Sequence, residues 1–174
     1  TPRAHKGMEE LFMAIEKIKD SSIRLVLIGA DSSIQSYVDK MQSNQERVVI
    51  FPKISFKDLP QHLSAADILV IPQRNTTDTQ GQIPAKLFDA MSMAKPIITT
   101  PLSDIEEVLG GYGYLIDPRN PDQLAKTIEY IFANPEEARF KGLNARKRCQ
   151  EHYDIKVLKK ELKLQIEKLT KEQS

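Results

Sequence analysis

A doubly wound, Rossmann-like α/β domain, with a parallel sheet covered by helices on both faces, is the architecture this sequence predicts. Five short apolar runs read as buried strands, helical patterns of about ten residues or more separate them, and turn or capping chemistry marks the junctions. Repeated strand–helix–strand crossovers are right-handed and lay parallel strands side by side, so the alternation itself specifies the sheet. At 174 residues the chain, 1–174, reads as a single domain, long enough to bury a core.

Residues 7–19 carry Met8, Leu11, Phe12, Ile15 and Ile18, the three-and-four spacing of one buried helix face. Residues 24–28 stop at Gly29, 47–51 at Pro52 and 68–71 at Pro72; their apolar, β-branched make-up is that of strands covered on both sides. Two weaker strands follow at 96–100 and 112–116, the second led by the Gly110-Gly111 breaker. Ser103, with Glu106 three residues on, resembles a capping box, and Asn120 before Pro121 is an N-cap with proline at the first helical position. Both predict helix starts. Leu124, Ile128, Ile131 and Phe132 continue the second of these helices, Asn134-Pro135 ends it, and a charged helix runs on towards His152. A last amphipathic helix aligns Leu158, Leu162, Ile166 and Leu169, and its Lys- and Glu-rich remainder reads as a solvated face.

Composition removes several classes of function. Twenty-five basic and 24 acidic side chains leave a formal charge of +1, which gives no electrostatic reason to expect a nucleic-acid partner. The single cysteine, Cys149, has no internal disulfide partner, and with three scattered histidines it does not make a closed zinc site. Apolar runs of four or five residues fall far short of the roughly 20 that span a bilayer, so no transmembrane segment is expected and the predicted location is the cytoplasm.

In open α/β sheets, ligands bind beyond the carboxyl ends of the strands, where helix N-termini and loop amides hold anions. The longest loop there is 73–83, a polar stretch with Gly81 just before the helix-starting Pro84. Its glycine allows the backbone N–H groups of Gly81, Gln82 and Ile83 to approach a phosphate. In the helix after Pro84, Leu87, Met91 and Ala94 can face the sheet, which leaves Lys86 and Asp89 together on another face. That pair is either a surface ion pair or a cation for phosphate and a carboxylate for a sugar hydroxyl. Arg3, His5 and Lys6 form a second basic cluster, with Lys6 next to Gly7 at the start of the first helix.

The string from Pro84 to Thr100, PAKLFDAMSMAKPIITT, resembles the donor-binding segment of the family 4 (group 1) glycosyltransferases of the GT-B fold. Three further segments agree in order and spacing. His5-Lys6-Gly7 is similar to the family's Lys-Gly, residues 65–72 (AADILVIP) to its A-A-D-x-x-V-x-P strand, and residues 113–118 (GYLIDP) to its G-x-L-V-x-P segment. The resemblance implies a hexosyl-type transferase that binds a nucleotide-diphosphate sugar and passes the sugar, with retention, to a glycan or glycolipid acceptor. It places the phosphate-binding lysine on Lys6 and puts Thr1 where an arginine is usual, so Arg3 is the substitute catalytic cation. Of two glutamates separated by seven residues, the second falls on Asp89, positioned for ribose hydroxyls, and the first on Gly81.

The same resemblance implies a strand before Thr1 in the middle of the sheet, leaving a gap between the strands near Arg24 and Ile68. It also implies an N-terminal acceptor domain, without which the chain alone would be inactive. The nucleotide base would rest on residues 52–54, with Ile54 in contact. No cofactor beyond the donor substrate is expected, and no Asp-x-Asp metal motif is present, so preorganised cations and amides take the metal's place. Expected partners are the sugar nucleotide and a glycan or lipid-linked acceptor, with peripheral membrane association compatible with the latter. Two other readings remain open: a noncatalytic interaction or scaffold domain, suggested by Gly81 and Thr1, and a sugar-nucleotide epimerase-like enzyme.

Overall fold

The computed structural model describes residues 6–30 and 32–172. Helix α1 (Met8–Lys17) leads into β1 (Leu25–Ile28); a 3-10 turn and the one-turn α2 (Gln35–Val38) then carry the chain to β2 (Val48–Phe51). Helix α3 (Leu59–Ser64) precedes β3 (Leu69–Ile71), and α4 (Ala85–Ser92), β4 (Ile97–Thr99), α5 (Ile105–Leu109) and β5 (Tyr114–Leu115) follow. Three helices close the chain: α6 (Pro121–Ala133), α7 (Pro135–His152) and α8 (Ile155–Glu172).

Every strand pairing is parallel. Strand β1 lies beside β2 with Leu25 opposite Val48, while β3, β4 and β5 form a second group with Leu69 opposite Ile97 and Ile98 opposite Tyr114. The chain therefore works outwards from β1 to β2 and again from β3 to β5, the progression of a doubly wound fold. Among the described residues no ladder joins the two groups, and the break falls where the sequence leaves its gap.

Side chains alternate across the strands, so β3, β4 and β5 each feed two cores, while β1 and β2 feed only the first. Val70, Ile98 and Tyr114 pack with Leu11, Phe12 and Ile15 of α1 and with Leu124, Ile128 and Ile131 of α6. Their neighbours Ile71, Ile97 and Leu115 turn to the opposite face, against Leu87 and Met91 of α4, Ile105 and Leu109 of α5, and Ala145 of α7. Leu87 and Met91 are completely buried, each contributing about 1.5–3 kcal/mol by removal from water. Helices α4 and α7 meet closely: a Cβ on Gly142 would lie 2.3 Å from the Ala94 carbonyl oxygen.

One sequence expectation fails. Ser103 does not cap a helix; Asp104 occupies the N-cap without a side-chain bond, and Ser103 sits at φ 50° with its hydroxyl donating to the Thr79 carbonyl at 3.3 Å. In that left-handed backbone the hydroxyl is turned towards the neighbouring loop instead of the helix. Asn120 does cap α6, accepting from the Gln123 N–H at 3.0 Å. The stripe on α8 is exposed along Leu158, Leu162, Ile166 and Leu169.

Candidate donor site at the carboxyl end of β3

Gly7 fixes the start of α1 against the end of β3. It adopts φ 64°, and a Cβ there would fall only 1.7 Å from the Pro72 carbonyl oxygen, so no other residue fits without moving the main chain. Lys6, half-buried, is thereby held at the carboxyl end of β3. Arg3 lies outside the described residues.

The 73–83 loop emerges from the same strand end and is held by its own polar groups. Thr79, almost fully buried, accepts the Thr76 N–H at 2.9 Å and donates to the Arg74 carbonyl at 2.8 Å. The buried Thr100 hydroxyl donates to the Gln73 carbonyl at 2.9 Å, tying the loop to the end of β4. Gly81 takes φ 71° with open space around its Cβ position, so the glycine serves the turn's conformation and not a close approach. Gln82 is exposed and Ile83 half-buried at the entry to α4. A cavity of about 260 Å³ lies between this loop and the β4–α5 connection, lined by Asn75, Gln80, Gly81, Pro101 and Ser103 among others.

Lys86 projects from the first turn of α4. Its side chain is exposed, yet the protein atoms around its ammonium, and then the charge of Lys6, pull its pKa below the ordinary lysine value. Two residues 80 positions apart in sequence are therefore near enough for their charges to interact. Asp89, half-buried one turn further on, lies towards α7, where its charge, after burial and Asp154, helps to raise the Cys149 pKa. Lys86 and Asp89 do not form an ion pair with each other. Ile54 is half-buried at the carboxyl end of β2, in a loop whose Lys53 backbone lies 3.7 Å from the position a Cβ would take on Gly29.

Sequence reasoning missed Arg74. Its guanidinium meets Glu10 Oε1 at 2.7 Å and Oε2 at 3.1 Å, and Glu9 Oε2 at 2.7 Å, joining the loop to the first turn of α1. The partners are 64 and 65 residues away, so no local spacing announces them. Gln73 was missed as well: its buried Oε1 has no hydrogen-bond partner. Among the described residues no cluster of His, Cys, Asp and Glu could hold a metal ion, and no helix is long and apolar enough to cross a membrane.

The parallel strands, wound outwards in two directions and flanked by helices, define a doubly wound α/β domain, the class of fold that takes its ligands at the carboxyl ends of its strands. The profile of the group 1 glycosyl transferases matches residues 1–134, and the chain belongs to that family. Its fold is similar to sucrose-phosphate synthase of Thermosynechococcus elongatus, with a TM-score of 0.82 at 23% identity over 97% of this chain and 43% of that one. It is similar also to HepE of Anabaena, solved in complex with UDP, with a TM-score of 0.81 at 18% identity over 95% and 46% of the two chains. The C-terminal domain of a group 1 glycosyl transferase (LpcC) of Francisella tularensis superposes with a TM-score of 0.75 at 19% identity, covering 88% and 83%. The chain thus spans less than half the length of the first two. No curated protein matches it.

Proposed function

We propose that this chain binds the nucleotide-diphosphate sugar of a retaining glycosyltransferase whose acceptor is a glycan or glycolipid. The observation that carries the reading is the place where Gly7 holds Lys6, at the carboxyl end of β3 and beside the origin of the 73–83 loop that leads to Lys86. As the bond from the sugar's anomeric carbon to the diphosphate breaks, its electron pair stays on the phosphate oxygen and positive charge grows on the sugar carbon. Lys6 and Lys86, with Arg3, stabilise the departing diphosphate, and the backbone amides of Gly81, Gln82 and Ile83 add fixed dipoles. Asp89 accepts from the ribose hydroxyls, and Ile54 supports the base. No metal takes part in this scheme.

Calorimetry of the full-length gene product with UDP, GDP and ADP tests the reading. One of them should bind, and Asp89→Ala should weaken it about tenfold, the loss of one charge-assisted hydrogen bond. Unchanged affinity would remove Asp89 from the ribose. If no nucleotide binds and no sugar is transferred from a panel of labelled donors, the noncatalytic alternative takes the place of this one.

A further inference from the structure

The cavity between the 73–83 loop and the β4–α5 connection has a lining of distinctive chemistry. Among the described residues none of those that line it is charged. Its two hydroxyls are engaged by the loop, Ser103 donating to the Thr79 carbonyl and Thr79 to the Arg74 carbonyl. The Asn75 and Gln80 amides, by contrast, are exposed and have no hydrogen-bond partner among the described residues. The loop therefore presents two groups that can each donate and accept, while the connection presents the apolar Pro101 and Leu102. Gly81 leaves the space between them clear, since nothing lies within 4 Å of the position a Cβ would take there. A volume of about 260 Å³ falls short of the roughly 300–1,000 Å³ that takes a whole drug-sized ligand. It suits one substituted sugar ring, with the nucleotide outside.

We propose that this cavity takes the transferred sugar and that the sugar is an uncharged N-acetylhexosamine. The proposal rests on the donor-site reading above, which lays the diphosphate on the amides of Gly81, Gln82 and Ile83. The sugar is bonded directly to that diphosphate, and the cavity shares Gly81 with those amides. An acetamido group presents an N–H, a carbonyl oxygen and a methyl group: Asn75 and Gln80 pair with the first two, and Pro101 and Leu102 cover the third. A plain hexose hydroxyl also pairs with the amides, but it leaves the exposed Pro101 facing water. A hexuronate brings a carboxylate that finds no cation in the lining. Asp78 and Asp104, each next to a lining residue in sequence, are acidic and oppose it further.

The experiment is calorimetry of the full-length gene product with the nucleoside diphosphate that binds among UDP, GDP and ADP. The same nucleotide is then titrated as its glucose, N-acetylglucosamine and glucuronate derivatives and as their galactose-series counterparts. In at least one series the N-acetylated sugar should bind about tenfold more tightly than the matching hexose, as expected of one or two added neutral hydrogen bonds, and the hexuronate more weakly than either. Asn75→Ala combined with Gln80→Leu should cut that preference to about threefold or less, while the nucleoside diphosphate, which has no sugar to lose, binds as before. A merely structural role for the two amides would weaken nucleoside diphosphate and sugar nucleotide together and leave the preference in place. A hexose or hexuronate bound as tightly as the N-acetylated sugar in both series overturns the proposal, and so does a preference that survives the loss of both amides. The two levels separate cleanly: if the nucleoside diphosphate still binds and Asp89→Ala weakens it, only the sugar assignment falls. If no nucleotide binds, free or sugar-linked, the donor-site reading falls and the proposal with it.

Discussion

Replacing Arg47 with methionine should unlatch the far end of the helix whose start carries Lys6. Arg47 is 1% exposed, and its guanidinium donates to the carbonyls of Ile15, Ile18, Asp20 and Ile23 at 2.8–3.1 Å. Ile15 lies in the last turn of α1 and Ile18 is its C-cap, where helix carbonyls lack intrahelical partners. Methionine keeps most of the volume and supplies no donor. The bonds to Ile15 and Ile18 are buried, whereas Asp20 and Ile23 lie where water can reach them. Two buried acceptors left unsatisfied cost about 1–3 kcal/mol each, and no longer burying a guanidinium offsets part of that, leaving a net loss of about 3 kcal/mol. For a domain of this size the loss lowers the melting temperature by about 6–12 °C. Thermal and urea denaturation followed by far-UV circular dichroism would read it directly. A loss below about 1 kcal/mol would refute the reasoning, because it would mean that the orphaned carbonyls find water or other donors at little cost.

Two further outcomes are expected. Gly142→Ala should push α4 and α7 apart, since its Cβ would sit 2.3 Å from the Ala94 oxygen, and the overpacking should cost about 1–3 kcal/mol; an unchanged melting temperature would argue that the helices separate freely. The lowered Lys86 pKa means that part of its population is neutral at a pH where an ordinary lysine is still charged, and a bound diphosphate favours the charged form. Nucleotide binding at alkaline pH should therefore take up protons, seen as a buffer-dependent calorimetric enthalpy that Lys86→Met removes; an enthalpy independent of the buffer would separate Lys86 from the anion.

The strands were legible because each is a short apolar run, β-branched in all but the last, bounded by glycine, proline or polar residues, and the structure places all five inside the segments read from sequence. Asn120 was legible for the same local reason, its side chain reaching an N–H three residues away. Ser103 carried the same signal and misled, because its backbone conformation and its bond to Thr79 depend on a loop 24 residues earlier. The one-turn α2 and the short α3 were also missed, having too few turns to establish a period. At the candidate site, Lys6 and Lys86 could be named from spacing and resemblance. Arg74, Thr79 and Arg47 could not, since each acts through partners that only the folded chain brings near. A lone arginine in a polar loop and one at the head of a strand look alike in sequence, yet the second is the most deeply buried charge described here.

The contact between Gly7 and Pro72 also bears on how such a site can change. There the main chain of one element rests directly on the main chain of another, so a side chain added at Gly7 has to displace backbone. On the 73–83 loop, by contrast, Asn75, Thr77, Gln80 and Gln82 stand exposed, and Thr79 and Thr100 keep the shape of the loop beneath them. Variation is therefore blocked on one side and cheap on the other. On the donor-site reading, a library confined to Asn75, Thr77 and Gln80 would explore sugar preference without touching the residues assigned to the phosphates, whereas any substitution at Gly7 would displace the main chain beside Lys6.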